Sequence, residues 1–230
     1  MKTHRGLITE TVAVSLGLVF LSATGISGEI LQLPKPSLEG EVSVEKAIKG
    51  RRSVRSFGEE PLDLKEVSQL MLAAQGITDP ARNYRAAPSA GATYPLEVYL
   101  VAGSNGVNGL GEGVFLYEPG PHQLEKVLTG DRQPSLREAA LGQGPVSDAP
   151  ANIVITAVYE RTKRRYGARG ERYVHMEAGH VGQNLYLQAE ALGLGMVVIG
   201  AFEDDQVKKV LELPEERNPL YVIPIGHPDT

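Results

Sequence analysis

Residues 51–57 (RRSVRSF) bring three guanidinium groups and two hydroxyl groups into seven positions. Arginine side chains match the oxygens of a phosphate group in bidentate fashion, and a serine hydroxyl adds a directional donor. In an extended segment, Arg51, Ser53 and Arg55 share one face while Val54 points the other way. The pattern therefore predicts a binding site for one phosphate monoester. A solvated basic turn is the alternative interpretation.

Two later segments are rich in small residues, which let a ligand approach the backbone closely. They are residues 87–95 (APSAGATYP) and residues 193–202 (GLGMVVIGAF). In this order, the three segments resemble the flavin-contacting motifs of the nitroreductase-like FMN oxidoreductases. The chain is most similar to the SagB-type branch, which includes azoline dehydrogenases, over about residues 33–228. The resemblance implies an α+β fold with a central, mostly antiparallel sheet flanked by helices, in a homodimer.

The resemblance also implies which residues contact FMN. The first segment would bind the phosphate, with Arg52 as a helper or a surface charge. The turn in the second segment would follow the ring edge, and backbone amides of the third would reach the ring, one of them toward N5. The implied contacts are Arg51, Arg52, Ser53, Arg55, Pro88, Ser89, Ala90, Gly91, Asn184, Val198, Ile199 and Gly200. Without the resemblance, the second segment is an ordinary loop and the third is a helix end followed by a core strand.

Tyr166 is the one catalytic candidate. Azoline dehydrogenases carry a Lys-Tyr pair at the comparable place, and this chain has Arg165 in the position of the lysine. A lysine can lose its proton when its pKa is depressed, whereas an arginine effectively cannot. General-base azoline chemistry is therefore disfavoured, although Tyr166 can still orient a substrate or donate a proton. The alternative is a solvated basic helix start.

Composition limits the other possibilities. A net charge of -5 argues against a nucleic-acid binder, which needs a broad basic surface. The chain has no cysteine, so disulfides, thiolate nucleophiles and cysteine-ligated metals are excluded. His175 and His180 are five residues apart and diverge on a helix, so no H-E-x-x-H pattern forms around Glu177. We expect no metal site.

The first residues differ from the rest of the chain. Basic residues precede the apolar run 12–21, and small residues follow it, as in an export signal. We therefore divide the chain into residues 1–32, a signal-like or anchoring segment, and residues 33–230, the FMN-binding domain. Export, membrane anchoring and a cytoplasmic N-terminal helix all remain open, as does cleavage of the segment.

Hydrophobic periodicity predicts the elements that must position these residues. The helices are expected near residues 43–49, 64–75, 172–192 and 205–211. The strands are expected at residues 96–102, 114–117, 153–159, 196–199 and 220–225.

The implied function is that of an enzyme. It is an FMN-dependent oxidoreductase that transfers hydride in a ping-pong scheme between NAD(P)H and a small organic acceptor through flavin N5. Two alternatives stay open: a flavin-dependent dehydrogenase of azoline-type peptides, and a flavin-binding protein without catalysis. The expected partner is a second copy of the chain, with the flavin at the interface. A basic residue in a C-terminal extension, which many nitroreductases use to bind the phosphate, is not found, so the arginines or a partner subunit must suffice.

Overall fold

The computed structural model describes residues 28–229. Strands and helices alternate irregularly along this part of the chain. The strands are β1 (Ile30–Gln32), β2 (Ile77–Asp79), β3 (Tyr84–Arg85), β4 (Leu96–Ala102), β5 (Gly113–Glu118), β6 (Gln123–Thr129), β7 (Ala151–Ala157), β8 (Gly195–Met196) and β9 (Asn218–Gly226). The helices are α1 (Val44–Gly50), α2 (Leu64–Gln75), α3 (Gln133–Ala139), α4 (Pro145–Asp148), α5 (Glu160–Tyr166), α6 (Arg169–Ala191) and α7 (Asp204–Val210), with a 3-10 turn at Ala90–Ala92.

Seven of these strands form one sheet in the order β1-β6-β5-β4-β7-β9-β8. Every neighbouring pair in it is antiparallel. Strand β7 lies in the interior of the sheet and is buried along its whole length, which agrees with its nearly continuous apolar sequence. Helices α2 and α6 cover one face, and α3, α4 and α7 cover the other. The predicted α+β architecture with a mostly antiparallel sheet is confirmed.

Helix α6 is the longest element, and its sequence explains how it packs. Five apolar residues recur at steps of three and four and are buried against the sheet and α2: Val174, Ala178, Val181, Leu185 and Ala189. The helix ends at Ala191. Gly193 follows in the left-handed region at φ 74°, and the Leu194 amide returns to the Ala189 carbonyl at 2.8 Å.

Two strand predictions need correction. The strand predicted at residues 196–199 is only the two-residue β8, with one isolated bridge between Ile199 and Val222. The neighbouring strand β9 contains Pro224, which accepts from the Val197 amide but has no N–H to donate, so the regular ladder stops there. The strand predicted at residues 153–159 runs instead over Ala151–Ala157, because the chain turns into α5 at Tyr159.

The signal-like part of the predicted N-terminal segment, including the apolar run 12–21, lies outside the described residues. The end of that segment does not: Ile30–Gln32 form β1 and pair antiparallel with β6. The folded domain therefore includes residues that lie before position 33. Between residues 28 and 229, no helix is both long enough and apolar enough to cross a membrane.

Leu185 provides a test of the packing of α6. Its side chain is fully buried, so Leu185→Ala should lower the free energy of unfolding by about 2–5 kcal/mol through lost apolar burial and the cavity left behind. Chemical denaturation measured by circular dichroism checks this. Leu141, which is 58% exposed, is the matched control, and Leu141→Ala should change the free energy by less than about 0.5 kcal/mol. Equal effects of the two substitutions would contradict the packing of α6.

Candidate functional site

The arginine-rich segment and the later glycine-rich segment lie side by side. Residues 51–57 leave the end of α1 as extended chain, and the Val54 amide donates to the Met196 carbonyl at 2.9 Å. A Cβ atom at Gly195 would lie 2.7 Å from a methyl carbon of Val54, which is too close for any other residue type. The structure therefore brings the first and third predicted motifs together.

Tyr186 joins these two segments. Its hydroxyl accepts a hydrogen bond from the Val198 amide at 3.1 Å and lies 2.9 Å from the Ser53 hydroxyl. The guanidinium carbon of Arg51 lies 4.9 Å from the centre of the Tyr186 ring, a cation–π contact. The prediction from sequence missed this residue. Its only signal was a position on α6 next to the buried stripe, which does not reveal a contact with residues more than 130 positions away.

Arg52 and Arg55 have different surroundings. The Arg52 guanidinium donates to the carbonyls of Lys49, Gly50 and Arg51 at 3.0, 3.2 and 2.8 Å, so it caps the end of α1. All three bonds use Nη1, which leaves Nε and Nη2 without a partner among the described residues, so the helper role predicted for Arg52 stays a prediction. Arg55 is exposed and forms no hydrogen bond or ion pair with residues 28–229, which leaves its guanidinium group free for a ligand.

The three backbone amides predicted to reach the ring are not equivalent. The Val198 amide donates to Tyr186, and the Ile199 amide donates to the Val222 carbonyl of β9 at 2.9 Å. Both donors are already used within the fold, so the predicted ligand contacts through these amides are not supported. Gly200 is exposed, and its amide has no partner among the described residues. It is the donor of the three that remains open to a ligand.

The turn Pro88–Gly91 contacts the junction of α5 and α6. Gly91 adopts φ 61°, and its carbonyl accepts from the Arg165 guanidinium at 3.1 Å. The Tyr166 hydroxyl lies 2.6 Å from the place where a Cβ of residue 91 would be, so a side chain there would collide with it. The catalytic candidate Tyr166 therefore lies directly against the predicted flavin turn. Pro88 contributes its carbonyl to a 3.4 Å contact with His180 Nδ1.

The turn and the arginine segment lie on different flanks of α6. Glu177 lies beneath Ser89, whereas Tyr186 contacts Arg51 and Ser53. These helix positions are nine residues apart, which places them about 180° apart around the axis at about 100° per residue. The arginine segment and the turn of one chain are therefore separated by the body of the helix.

The side chain of Asn184 forms a hydrogen bond within the fold. Its amide group donates to the Ala73 carbonyl of α2 at 3.1 Å, so it ties two helices together. Only one N–H of the amide is engaged in this way, which leaves its second N–H and its carbonyl oxygen, so the predicted flavin contact of Asn184 stays a prediction.

Glu177 is the most unusual titratable group near the turn. Its side chain is 2% exposed, and burial raises its pKa to about 7, although Ser89, Gln75 and Arg85 nearby oppose the rise. In the sequence, Glu177 lies between His175 and His180, where no metal-ligand pattern forms. His175 Nε2 is 2.6 Å from the Tyr159 hydroxyl, and no three metal-ligating side chains converge among residues 28–229.

The residues that remain open fit the phosphate and ring edge of FMN. Arg51 and Arg55 have no carboxylate partner among the described residues, the Ser53 hydroxyl is held in place by Tyr186, and the Gly200 amide is unpaired. These groups offer charge and hydrogen-bond donors to an anion and to ring acceptors, and Gly195 allows the two segments to lie close together.

Comparisons with known proteins identify the family. A model of the nitroreductase family matches residues 48–227. A nitroreductase homologue of Methanocaldococcus jannaschii is 44% identical over 199 residues, covering 86% of this chain and 98% of that protein. The microcin B17-processing protein McbC of Escherichia coli is 31% identical over 157 residues, covering 67% of this chain and 58% of McbC.

The fold gives the same result. The crystal structure of a nitroreductase homologue from Ralstonia eutropha superimposes with a TM-score of 0.76 at 27% identity, over 90% of this chain and 93% of that one. Sequence and fold agree over most of the chain length, and the chain therefore belongs to the nitroreductase family.

Proposed function

We propose that this protein is an FMN-dependent oxidoreductase that transfers hydride between NAD(P)H and a small organic acceptor. The observation that carries the proposal is the junction at Tyr186, which holds Ser53 and Arg51 beside the chain at Val198. This junction places the proposed anion-binding segment beside the chain segment that leads to the exposed Gly200. The family match supports an oxidoreductase.

Each side chain then has a defined task. Arg51 and Arg55 bind the phosphate through charge-assisted hydrogen bonds, and the Ser53 hydroxyl is directed by Tyr186. The Gly200 amide donates to an acceptor on the ring edge. FMN, when bound, supplies the two-electron chemistry itself. The protein mainly binds and orients the reactants, which explains why no nucleophile or acid–base pair stands out.

We propose further that a second copy of the chain completes the site. The arginine segment and the turn Pro88–Gly91 lie on opposite flanks of α6, so one chain does not offer both to the same ring side by side. The outer face of α6 exposes Met176 at 54%, and nearby α1 exposes Val44 at 63% and Ile48 at 57%. A homodimer would cover these apolar side chains and bring the turn of one copy to the arginines of the other.

A second candidate is a dehydrogenase of azoline-type peptides within the SagB-type branch. It is favoured by the similarity to the microcin-processing protein McbC and by Tyr166, which lies against the flavin turn. Arg165 beside it donates to the Gly91 carbonyl, and a guanidinium group does not replace a catalytic lysine as a base. For this reason we place reduction of a small acceptor first. A protein that binds flavin without turnover is the remaining alternative.

Absorbance of the purified protein tests the enzyme proposal directly. The full chain should purify yellow or take up added FMN, and anaerobic addition of NADH or NADPH should bleach the flavin band. If neither nucleotide bleaches the flavin band of a yellow protein but an azoline peptide bleaches it, the second candidate is supported. A yellow protein that no reductant bleaches at a catalytic rate would support flavin binding alone.

The phosphate site has its own test. Arg51→Ala combined with Arg55→Ala should weaken FMN binding by about 100-fold or more, since two charge-assisted contacts of about 1.5–3 kcal/mol each are lost. FMN titration by fluorescence quenching measures this, and circular dichroism confirms that the fold is intact. Arg82→Ala combined with Arg137→Ala removes the same charge from surface positions away from the site and should leave the affinity unchanged. Full FMN occupancy in the first variant would show that the phosphate lies elsewhere.

Mixing two inactive variants tests whether two copies share each site. One variant carries Arg51→Ala with Arg55→Ala, and the other carries Gly91→Val, which would collide with Tyr166. If each site takes its arginines from one copy and its turn from the other, a hybrid dimer contains one intact site. Co-refolding equal amounts should then restore about one quarter of wild-type FMN binding, since random pairing makes half of the dimers hybrid. No recovery from a mixture that forms hybrids would show that each chain builds its site alone.

A further inference from the structure

A buried polar cluster lies beneath the turn Pro88–Gly91. It consists of Gln75 at the end of α2, Arg85 on β3 and Glu177 on α6, and Gln75 and Glu177 are only 1% and 2% exposed. The Arg85 guanidinium donates to Gln75 Oε1 at 3.0 Å. Three polar atoms of the cluster are buried without a hydrogen-bond partner among the described residues: Gln75 Nε2, Arg85 Nε and Glu177 Oε1. Gln75 nonetheless lies close enough to Glu177 to lower the pKa of its carboxyl group.

The cluster contacts residues 89–94, which include most of the turn and the residues that follow it, at both ends. Ser89 lies beside Glu177, and its hydroxyl oxygen already accepts the Tyr94 amide at 3.0 Å, which leaves the hydroxyl proton free to be donated to the carboxylate. The Arg85 guanidinium carbon lies 4.4 Å from the centre of the Tyr94 ring. Glu177 and Arg85 therefore contact Ser89 and Tyr94, the two ends of residues 89–94.

The backbone of the turn needs such support. Gly91, Ala92 and Tyr94 all lie in the left-handed region, at φ 61°, 53° and 44°. For Ala92 and Tyr94 this conformation is unfavourable, and it persists only where the surroundings fix it. The cluster beneath the turn supplies that constraint.

We propose that ionised Glu177 is a positioning residue that holds the turn from Ser89 to Tyr94 in the shape that receives the flavin ring, so that FMN affinity follows the protonation of this one carboxyl group. This inference rests on the proposed function. In a homodimer, the carboxyl group of one copy would act on the flavin bound by the arginines of the other. Glu177 would not touch the reacting atoms.

The direction of the effect follows from the charge. An ionised carboxylate would attract the hydroxyl proton of Ser89 and the guanidinium group of Arg85 more strongly than a protonated one, which has no net charge. Tyr94 and Tyr117 also lie near Arg85, and the nearby positive charge of Arg161 repels the Arg85 guanidinium group. Because burial raises the Glu177 pKa to about 7, the carboxyl group takes up its proton within the neutral range. FMN binding that requires the ionised form should therefore weaken as the pH falls through 7.

The experiment measures the FMN dissociation constant at pH 6.0 and pH 8.5 for the full chain and for Glu177→Gln. From pH 8.5 to pH 6.0, the FMN affinity of the wild-type chain should fall about fivefold more than that of the variant. This difference is expected if FMN binding lowers the pKa of the Glu177 carboxyl group by about one unit. At pH 8.5, Glu177→Gln should bind FMN more weakly than the wild-type chain does, because glutamine carries no charge. Protonation of the FMN phosphate contributes equally to every variant and cancels in the comparison.

Glu171→Gln is the matched control, because Glu171 is an exposed carboxylate on the same helix. It should keep the wild-type pH profile. If Glu177→Gln does not fold, Ser89→Ala is the second variant, and it should lose the same pH-dependent part while Glu177 stays in place. A wild-type pH profile in Glu177→Gln or in Ser89→Ala would overturn the inference alone. Failure of the wild-type chain to bind FMN at any pH would overturn the proposed function as well.

Discussion

The phenol hydroxyl of Tyr186 is the contact on which the arrangement of the anion-binding side of the site depends. It accepts the Val198 amide and meets the Ser53 hydroxyl, so one oxygen atom links α6 to two chain segments that are distant in sequence. Arg51 rests on the ring of the same residue. The conformation of an otherwise exposed arginine-rich segment is therefore fixed by a helix whose other side is buried in the core.

Helix α6 separates the two parts of the candidate site. Its buried stripe packs on the sheet and on α2, and this leaves two flanks that face different neighbours. One flank carries Tyr186 and the arginine segment, and the other carries Glu177 beneath the turn. The helix holds both halves of the candidate site in place but keeps them apart, and in the proposed homodimer a second copy would bring them to one ligand.

Much of the fold was predictable because it depends on local periodicity. The stripe from Val174 to Ala189 identified α6, and the apolar runs identified β4, β7 and β9 with shifts of a few residues. The short strand β1 and the half-exposed β6, which contains charged residues, carried little signal and were missed. The strand predicted beyond Met196 was lost because its partner β9 has a proline at position 224, a long-range effect that no local pattern contains.

The site was predictable only in part, because it too depends on contacts between residues that are distant in sequence. Residue types suggested the arginine segment and the two glycine-containing segments. Which donors remain free depends on distant partners, since β9 accepts from the Ile199 amide and α2 accepts from one N–H of the Asn184 side chain. Tyr186 and Glu177 owe their importance to contacts across the fold and to burial, and neither property is visible in the spacing of residues along the chain.

The cap that Arg52 places on α1 has an electrostatic consequence. Carbonyl groups at the C-terminal end of a helix carry partial negative charge and repel an anion. Here they would stand at the start of the segment that offers Arg51 to a phosphate, yet the Arg52 guanidinium covers the carbonyls of Lys49, Gly50 and Arg51. Arg52 would thus screen an anionic ligand at Arg51 from the helix end, and its positive charge adds to the local field.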